Sequence, residues 1–218
     1  MNDVDDGRRR ADAQRFVANL EDEVRRTAPG RPLPVLDTIE GSDTSETVYC
    51  MVRLDGLPVR IAITDGWWES VGRDGVAKAI LRAHSFAGEK AVIARMLFRR
   101  YGRDLPGDST ATRRIADEPP SAAGHTGRNV LDRVHRSLDE SSARMTAAMR
   151  RFEQIRDAEQ REFSGPRGLF TVVVRGPVIE EARVDSFRLT PDSAPVLAAD
   201  ALAALLGARS GHTGPEEG

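Results

Sequence analysis

The clearest structural signal in the chain is the segment GLFTVVVRGPVIEEARV, which occupies residues 168–184. Residues 169–174 are rich in β-branched and aromatic side chains, and this composition predicts a strand. Gly176 and Pro177 indicate a turn, so residues 178–184 are expected to return as the partner strand. The segment therefore predicts an antiparallel β-hairpin.

Helical patterns flank this hairpin on both sides. Upstream, apolar side chains recur at helical spacing over about residues 128–163, and the pattern stops before Gly165. Downstream, Thr190-Pro191-Asp192 is typical of a helix start, and this helix is expected to reach Leu206 and end near Gly207. The predicted order is helix, hairpin, helix.

The first hundred residues show the same order of elements. One helix is expected over about residues 8–28 and another over about residues 74–101. Between them, strands are expected at residues 47–54 and 57–64, joined by a tight turn at Asp55-Gly56. Three shorter segments complete this half: a disordered acidic start at residues 1–7, an edge strand within residues 33–39 and a turn at residues 41–45.

Two coincident offsets indicate an internal repeat. Gly56 and Gly176 lie in the two predicted hairpin turns and are 120 residues apart. Trp67 and Phe187, the aromatic residues that follow the two hairpins, are also 120 residues apart. If the repeat is real, a fold that normally pairs as a dimer can pair within one chain.

A stretch without periodicity separates the two halves. Residues 104–127 contain frequent Gly, Pro, Ser and Thr, which is typical of a flexible linker. We expect an N-terminal module at residues 1–103, this linker, a C-terminal module at residues 128–209 and a disordered tail at residues 210–218. The predicted fold class is α+β, and each module has a helix, an antiparallel sheet of about three strands and a second helix.

Composition excludes several classes of protein. The chain has 218 residues, a net charge of −2 and one cysteine, Cys50, which excludes an internal disulfide framework and a cysteine-built zinc site. No apolar run approaches the roughly 20 residues that a transmembrane helix needs. The acidic N-terminus lacks the apolar segment of a signal peptide. We therefore expect a cytoplasmic protein without a membrane partner.

The chain contains no recognisable catalytic motif. HExxH, P-loop, GxGxxG and GxSxG patterns do not occur, and no two of the four histidines stand at metal-ligand spacing. The sequence therefore predicts a protein that is not an enzyme and holds no metal or cofactor. Cys50 lies in a predicted strand and is interpreted as a buried small hydrophobe rather than a nucleophile. Trp67-Trp68 is interpreted first as a plug between sheet and helix, with base stacking or partner anchoring as the alternative.

The C-terminal half resembles the YbaB/EbfC family of small nucleoid-associated proteins. A long charged helix precedes a glycine, and residues 168–174 are similar to the family's glycine followed by alternating Val and Thr. Residues 180–185 resemble the next strand, and residues 189–192 lead into a similar aliphatic helix. The first half is less similar, through residues 48–67 and the helix after Asp74. The tandem arrangement and Pro177 depart from the family, whose members are mostly single modules of about half this length.

This resemblance implies a specific architecture and two kinds of function. The family's module is an α-β-β-β-α unit that dimerises through its sheet, projects long helices and binds DNA with little sequence preference. Related proteins also occur beside type VII secretion components in actinobacterial-type genomes, where a stabilising or chaperone-like role is expected. The resemblance supplies no catalytic residues.

Basic side chains concentrate between residues 73 and 103, where they outnumber acidic ones by six. Contacts with DNA phosphates require positive groups spaced along a surface, so this segment is a candidate DNA-binding helix face. The alternative interpretation is an ordinary solvated face. A second basic cluster, on the helix of residues 128–163, is interleaved with acidic residues and favours helix-stabilising pairs before phosphate contacts. The candidate DNA-binding residues are Lys78, Arg82, Arg95, Arg99, Arg100, Arg103, Arg144, Arg150 and Arg151.

The helix predicted at residues 128–163 carries an apolar stripe that is too long for one small module to cover. Such a stripe predicts self-association, pairing of the two modules within the chain, or an unknown protein partner. The candidate partner-binding residues are Leu131, Val134, Leu138, Met145, Met149, Phe152 and Ile155. The sequence therefore predicts a sequence-tolerant, nucleoid-associated DNA-binding protein, and the alternative is an interaction or chaperone-like accessory module that binds no DNA.

Overall fold

The computed structural model describes residues 3–26, 36, 38–100, 153 and 155–211. Residue contacts divide the chain into two compact units, one made of residues 1–106 and 160–218 and the other of residues 107–159. In the second unit, the described residues 153 and 155–157 are helical.

Two antiparallel sheets and four helices make up the described part of the first unit. One sheet has the order β1 (Ile39–Ser42), β2 (Val48–Val52), β3 (Pro58–Ile63), and the other has β4 (Gln160–Ser164), β5 (Phe170–Arg175), β6 (Val178–Val184). The helices are α1 (Asp3–Arg26), α2 (Trp67–Ser70), α3 (Gly72–Arg100) and α4 (Ala194–Ser210), and two 3-10 turns, Ser186–Arg188 and Pro191–Ser193, precede α4. The predicted α+β class, with two helix-flanked three-stranded sheets, is confirmed.

The two long helices each pack on both sheets. Helix α3 lies on β1 and β2 and also contacts β6, whereas α4 lies on β4 and β5 and also contacts β3. Half of the buried residues of α3 are alanine, whose small side chain lets a helix approach a sheet closely. Because each helix crosses from one sheet to the other, the buried side chains of both sheets form one hydrophobic cluster.

In each half of the chain a glycine lies directly against a helix, and this match supports the internal repeat. Gly41 in β1 lies against the α3 backbone at Ala83 and Ala87, and Gly165 lies against Asp200 of α4 at the same point of the second sheet. A side chain at either glycine would collide with the helix. The turn glycines Gly56 and Gly176 also match, with φ angles of 82° and 55° in the left-handed region that glycine tolerates.

Each sheet has a buried carboxylate that fixes the loop between its first two strands. Asp43, within the first loop, accepts the N–H groups of Ser45 and Val48 at 2.9 and 2.8 Å. Asp200 comes instead from α4 and accepts the N–H groups of Leu169 and Phe170 at 2.8 and 2.9 Å. The second loop is therefore fixed only when α4 is packed on its sheet.

The structure corrects the start of the chain. Helix α1 begins at Asp3, so the expectation of a disordered start at residues 1–7 is wrong for residues 3–7. Strand β1 covers Ile39–Ser42, so the turn expected at residues 41–45 begins later than predicted. Gly41 pairs with Cys50 and therefore belongs to the strand and not to a turn. Glycine is needed at this position because β1 lies directly against the backbone of α3.

Two boundaries in the second half are also corrected. The helix expected to reach Phe163 gives way to β4, in which Gln160–Ser164 pairs with β5. Helix α4 continues through Gly207 to Ser210 instead of ending near Leu206. A Cβ at Gly207 would lie 3.5 Å from the Phe163 ring, and Gly211 faces the same ring. Gly211 makes room for the Phe163 ring, whereas Gly207 lies within the helix and does not end it.

Candidate nucleic-acid interface

The outward face of α3 carries most of the described candidate cations. Lys78, Arg99 and Arg100 are exposed, whereas Arg82 and Arg95 are half-buried. With 3.6 residues per turn, Lys78, Arg82, Arg99 and Arg100 lie on one side of the helix and Arg95 lies towards its edge. We call this side the α3 outer face.

The α3 outer face is positive at its two ends and mixed in its middle. A rise of 1.5 Å per residue places the pair Lys78–Arg82 about 29 Å from the pair Arg99–Arg100. Between the pairs lie Glu89, which accepts a hydrogen bond from Ser85 at 3.2 Å, and the apolar residues Val92 and Met96. Met96 is 65% exposed and Val92 is 39% exposed.

Lys90 belongs to the basic segment of the sequence but not to the α3 outer face. Its side chain is buried, its Nζ lies 2.5 Å from Oδ2 of Asp12, and it donates to the carbonyl oxygen of Glu40 at 3.0 Å. The ammonium group also lies 4.5 Å from the centre of the Phe86 ring. Lys90 therefore joins α1 and β1 to α3 and offers no charge to a ligand at the surface.

The available cations of the α3 outer face are those without a partner in the protein. In the part of the chain that the structure describes, Lys78 and Arg100 make no hydrogen bond or ion pair. Arg82 donates a long hydrogen bond of 3.4 Å from Nη1 to Oγ1 of Thr44. Lys78 and Arg100 can therefore turn towards an anion without giving up an existing contact.

Several predicted site residues fall outside the described residues. Among the DNA-binding candidates these are Arg103, Arg144, Arg150 and Arg151. Among the partner-binding candidates, Ile155 is described and half-buried, whereas Leu131, Val134, Leu138, Met145, Met149 and Phe152 are not described.

The tryptophan pair has the structural role that the sequence favoured. Trp67 is 1% exposed, and its indole N–H donates to the carbonyl oxygen of Pro191 at 3.0 Å. Trp68 is half-buried and meets Trp67 edge to face, with ring centres 5.2 Å apart. Trp67 therefore fastens the segment after the first hairpin to the segment before α4.

Cys50 is unsuited to nucleophilic chemistry. The residue is fully buried in β2, and burial raises the pKa of its thiol to about 12. A thiol with so high a pKa carries almost no thiolate at neutral pH. The interpretation of Cys50 as a small core hydrophobe is confirmed.

A cleft of about 520 Å³ lies between α1, the β1–β2 hairpin and α3. One wall carries Arg9 and Arg15, and the other carries Glu40, Glu46 and Tyr49. Burial and the nearby carboxylates raise the pKa of the Tyr49 hydroxyl. The two arginines are already paired, since Arg9 lies 3.8 Å from a carboxylate oxygen of Glu89 and Arg15 lies 3.6 Å from one of Asp12. Sequence reasoning missed this cleft because its walls come from three distant segments.

Phe187 is the other surface feature that the sequence did not reveal. Its side chain is 92% exposed, although it occupies the place in the repeat that Trp67 fills with a buried ring. The offset of 120 residues between Trp67 and Phe187 was the available signal. It predicted that the two residues are equivalent, and it did not predict that one is buried and the other exposed.

The described residues were also compared with the requirements of a metal site and of a membrane span, and the chain with known proteins. Among the described residues, no group of three or more His, Cys, Asp or Glu side chains is placed to hold a metal ion. No described helix is long and apolar enough to cross a membrane. No protein-family model, curated protein or solved structure matches the chain.

Proposed function

We propose that this protein binds duplex DNA through its phosphates, with little sequence preference, and that the α3 outer face makes the contact. The observation that carries the proposal is the set of outward cations at both ends of α3, of which Lys78 and Arg100 are exposed and unpaired in the described part. The whole chain has a net charge of −2, so binding must depend on this local concentration of charge.

The spacing of the charges suits a duplex. The two basic pairs stand about 29 Å apart along α3, and one turn of B-form DNA measures about 34 Å. A helix that lies along the duplex would place its two ends near phosphates that recur on the same side of the DNA. Contacts of this kind position a protein without reading the bases.

The resemblance to the YbaB/EbfC family supports the same proposal. That family implies sequence-tolerant DNA binding by a module that pairs through its sheet. In this chain, α3 also contacts β6 and α4 also contacts β3, so each half supplies a helix to the other. We infer that the two halves take the places of the two subunits of such a pair. Self-association of the whole chain would then be a separate step.

An interaction module is the second candidate, and one observation favours it. Val92 and Met96 form an exposed apolar spot between the cations of the α3 outer face. An acidic segment with apolar residues, such as a helix of a secretion-associated partner, would complement this pattern. An exposed methionine, in contrast, contributes nothing to contacts with DNA phosphates.

Charge reversal on the α3 outer face tests the proposal. The variant Lys78→Glu/Arg100→Glu should lose binding to every duplex alike, because the lost contacts are to phosphates. The control Arg25→Glu/Arg26→Glu makes the same change in net charge, from −2 to −6, at the end of α1. Fluorescence anisotropy with a labelled duplex measures both. Equal binding by the two double variants would contradict the proposed surface.

A further inference from the structure

Phe187 is presented to solvent by an ordered turn. The residue lies in the 3-10 turn Ser186–Arg188, directly after β6, and its side chain is 92% exposed. The N–H of Asp185 donates to the Leu169 carbonyl at 3.0 Å, and the N–H of Arg188 donates to the Asp185 carbonyl at 3.1 Å. Leu189, two residues after Phe187, is buried. The backbone is therefore anchored both before and after Phe187.

The fold does not use this aromatic side chain. Trp67, 120 residues earlier, is 1% exposed and is anchored by its hydrogen bond to Pro191. Within the described residues Phe187 makes no comparable contact, and nearly its whole side chain is in water. An exposed aromatic ring with few rotatable bonds, carried by an ordered turn, can bind a flat ligand at little cost in conformational entropy.

Two arginines and one aspartate lie in or next to the turn that carries Phe187. Arg188 donates from Nη1 to the Arg167 carbonyl at 3.1 Å and lies 3.9 Å from Oδ2 of Asp185. The side chain of Arg167 is exposed and, within the described residues, makes no hydrogen bond or ion pair. Arg188 follows Phe187 in the chain, and its hydrogen bond connects this turn to Arg167.

These surroundings favour a nucleic-acid base over a protein. A protein interface needs a contiguous apolar centre, but the nearest exposed large hydrophobe along the strand, Val178, lies at the far end of β6. The length of that strand separates Val178 from Phe187 by about 20 Å or more. A base needs only the face of one ring, with positive charge nearby for its phosphates.

We propose that Phe187 stacks on an unpaired base of a DNA strand while Arg167 and Arg188 contact the flanking phosphates. The proposal rests on the proposed DNA-binding function and names a substrate within it, which is single-stranded or locally unpaired DNA. Bases inside a duplex are already stacked on both faces, so Phe187 adds affinity only where a base is free. Binding to an intact duplex is left to the α3 outer face.

The test compares single-stranded and duplex DNA with the full chain. Affinity is measured by anisotropy for a labelled 20-nucleotide thymidine strand and for a duplex, and stacking is measured by quenching of one 2-aminopurine within the single strand. Phe187→Ala should weaken single-strand binding about 5- to 100-fold and abolish the quenching, because stacking contributes this much per base. Duplex binding should be unchanged.

Two further variants make the result specific. Phe187→Trp keeps a flat ring and should keep both affinity and quenching. Val178→Ala removes another exposed hydrophobe, at the start of β6, and should change neither. Both positions are exposed, so the three variants are expected to fold, and circular dichroism verifies this.

The outcomes separate this proposal from the proposed function. If Phe187→Ala binds the single strand and quenches its 2-aminopurine as the wild type does, the stacking role is overturned, whatever the duplex titration shows. If only the single strand responds to Phe187→Ala and only the duplex responds to Lys78→Glu/Arg100→Glu, both proposals hold. If the wild type binds neither form of DNA, both are overturned.

Discussion

At the scale of single residues, glycines decide how closely the sheets and helices can approach. A Cβ on Gly41 would lie 2.6 Å from the Ala83 carbonyl oxygen and 2.8 Å from Cα of Ala87. Both atoms belong to the α3 backbone and cannot turn aside as a side chain would. A Cβ on Gly88, the residue after Ala87 in α3, would have none of these close neighbours within 4 Å.

Alanine at these two glycines should have opposite effects. Gly41→Ala should lower the free energy of unfolding by about 3 kcal/mol, because β1 must move away from α3. Gly88→Ala should raise it by up to about 1 kcal/mol, because alanine is the better helix former and open space receives its methyl group. Urea unfolding measures both. Equal effects of the two substitutions would contradict the observed packing of β1 on α3.

A histidine makes stability depend on pH in a definite direction. Burial lowers the pKa of His84, and the nearby Arg209 guanidinium lowers it further. The unfolded chain therefore takes up a proton at His84 before the folded chain does. The His84 contribution to stability is complete above the ordinary pKa of about 6.5 and is lost as the pH falls below it.

The variant His84→Gln isolates this contribution. The wild type should lose stability on going from pH 7.5 to pH 5, and His84→Gln should lose less over the same interval. Urea midpoints at a series of pH values measure the difference. Parallel curves for the two proteins would show that His84 does not titrate differently in the folded state.

At the scale of elements, α1 depends on one half-buried ion pair as well as on its apolar face. Leu20 and Val24 are the buried hydrophobes of α1, and Asp12, two turns earlier in the helix, binds Lys90 of α3. Lys90 is buried, so removal of Asp12 leaves a charge in an apolar setting next to Phe86. The cost of that charge is reduced because Asp12 itself is partly exposed.

Loss of the Asp12 carboxylate should therefore loosen α1 without unfolding the sheets. Asp12→Ala should raise amide hydrogen exchange in α1 by about tenfold or more, which corresponds to about 1.4 kcal/mol, while exchange in α3 stays the same. Asp22→Ala, which removes an exposed pair with Arg26 on the same helix, is the control and should change little. Unchanged exchange in Asp12→Ala would show that the apolar contacts alone hold α1.

The elements also show where sequence was informative. Strands β3 and β6 were predicted to within one residue at each end, because their own alternation and turn glycines define them. Strand β4 was mistaken for helix, since it is short, charged and recognisable only through its pairing with β5. The predicted end of α4 was also wrong, because Gly207 has no positive φ and continues the helix.

The candidate interface was predictable to a similar extent. Helical spacing alone placed Lys78, Arg99 and Arg100 on a shared solvent face, and the structure has them exposed. It did not predict the burial of Lys90, because its partner Asp12 lies in a different helix. Nor did it predict the exposure of Phe187, since nothing in a single sequence distinguishes it from its repeat equivalent Trp67.

At the scale of the whole molecule, the described part of the first unit depends on both halves of the sequence. Helices α3 and α4 each bridge the two sheets, and Arg209 of α4 donates to the carbonyl oxygens of Asp55 and Gly56 at 2.6 and 3.3 Å. The α3 outer face, which comes from the first half, is thus supported by strand β6 from the second. A DNA-binding surface on α3 would need both halves to be folded.

We expect the α3 outer face to bind DNA phosphates without reading sequence. Anisotropy titrations of two duplexes with unrelated sequences, over a series of salt concentrations, measure this property. About four phosphate contacts would give a slope of roughly −3.6 for the logarithm of the binding constant against the logarithm of salt concentration, equal for both duplexes. Absence of binding at low salt by the folded protein, or an affinity that differs strongly between the duplexes and hardly changes with salt, would contradict the account.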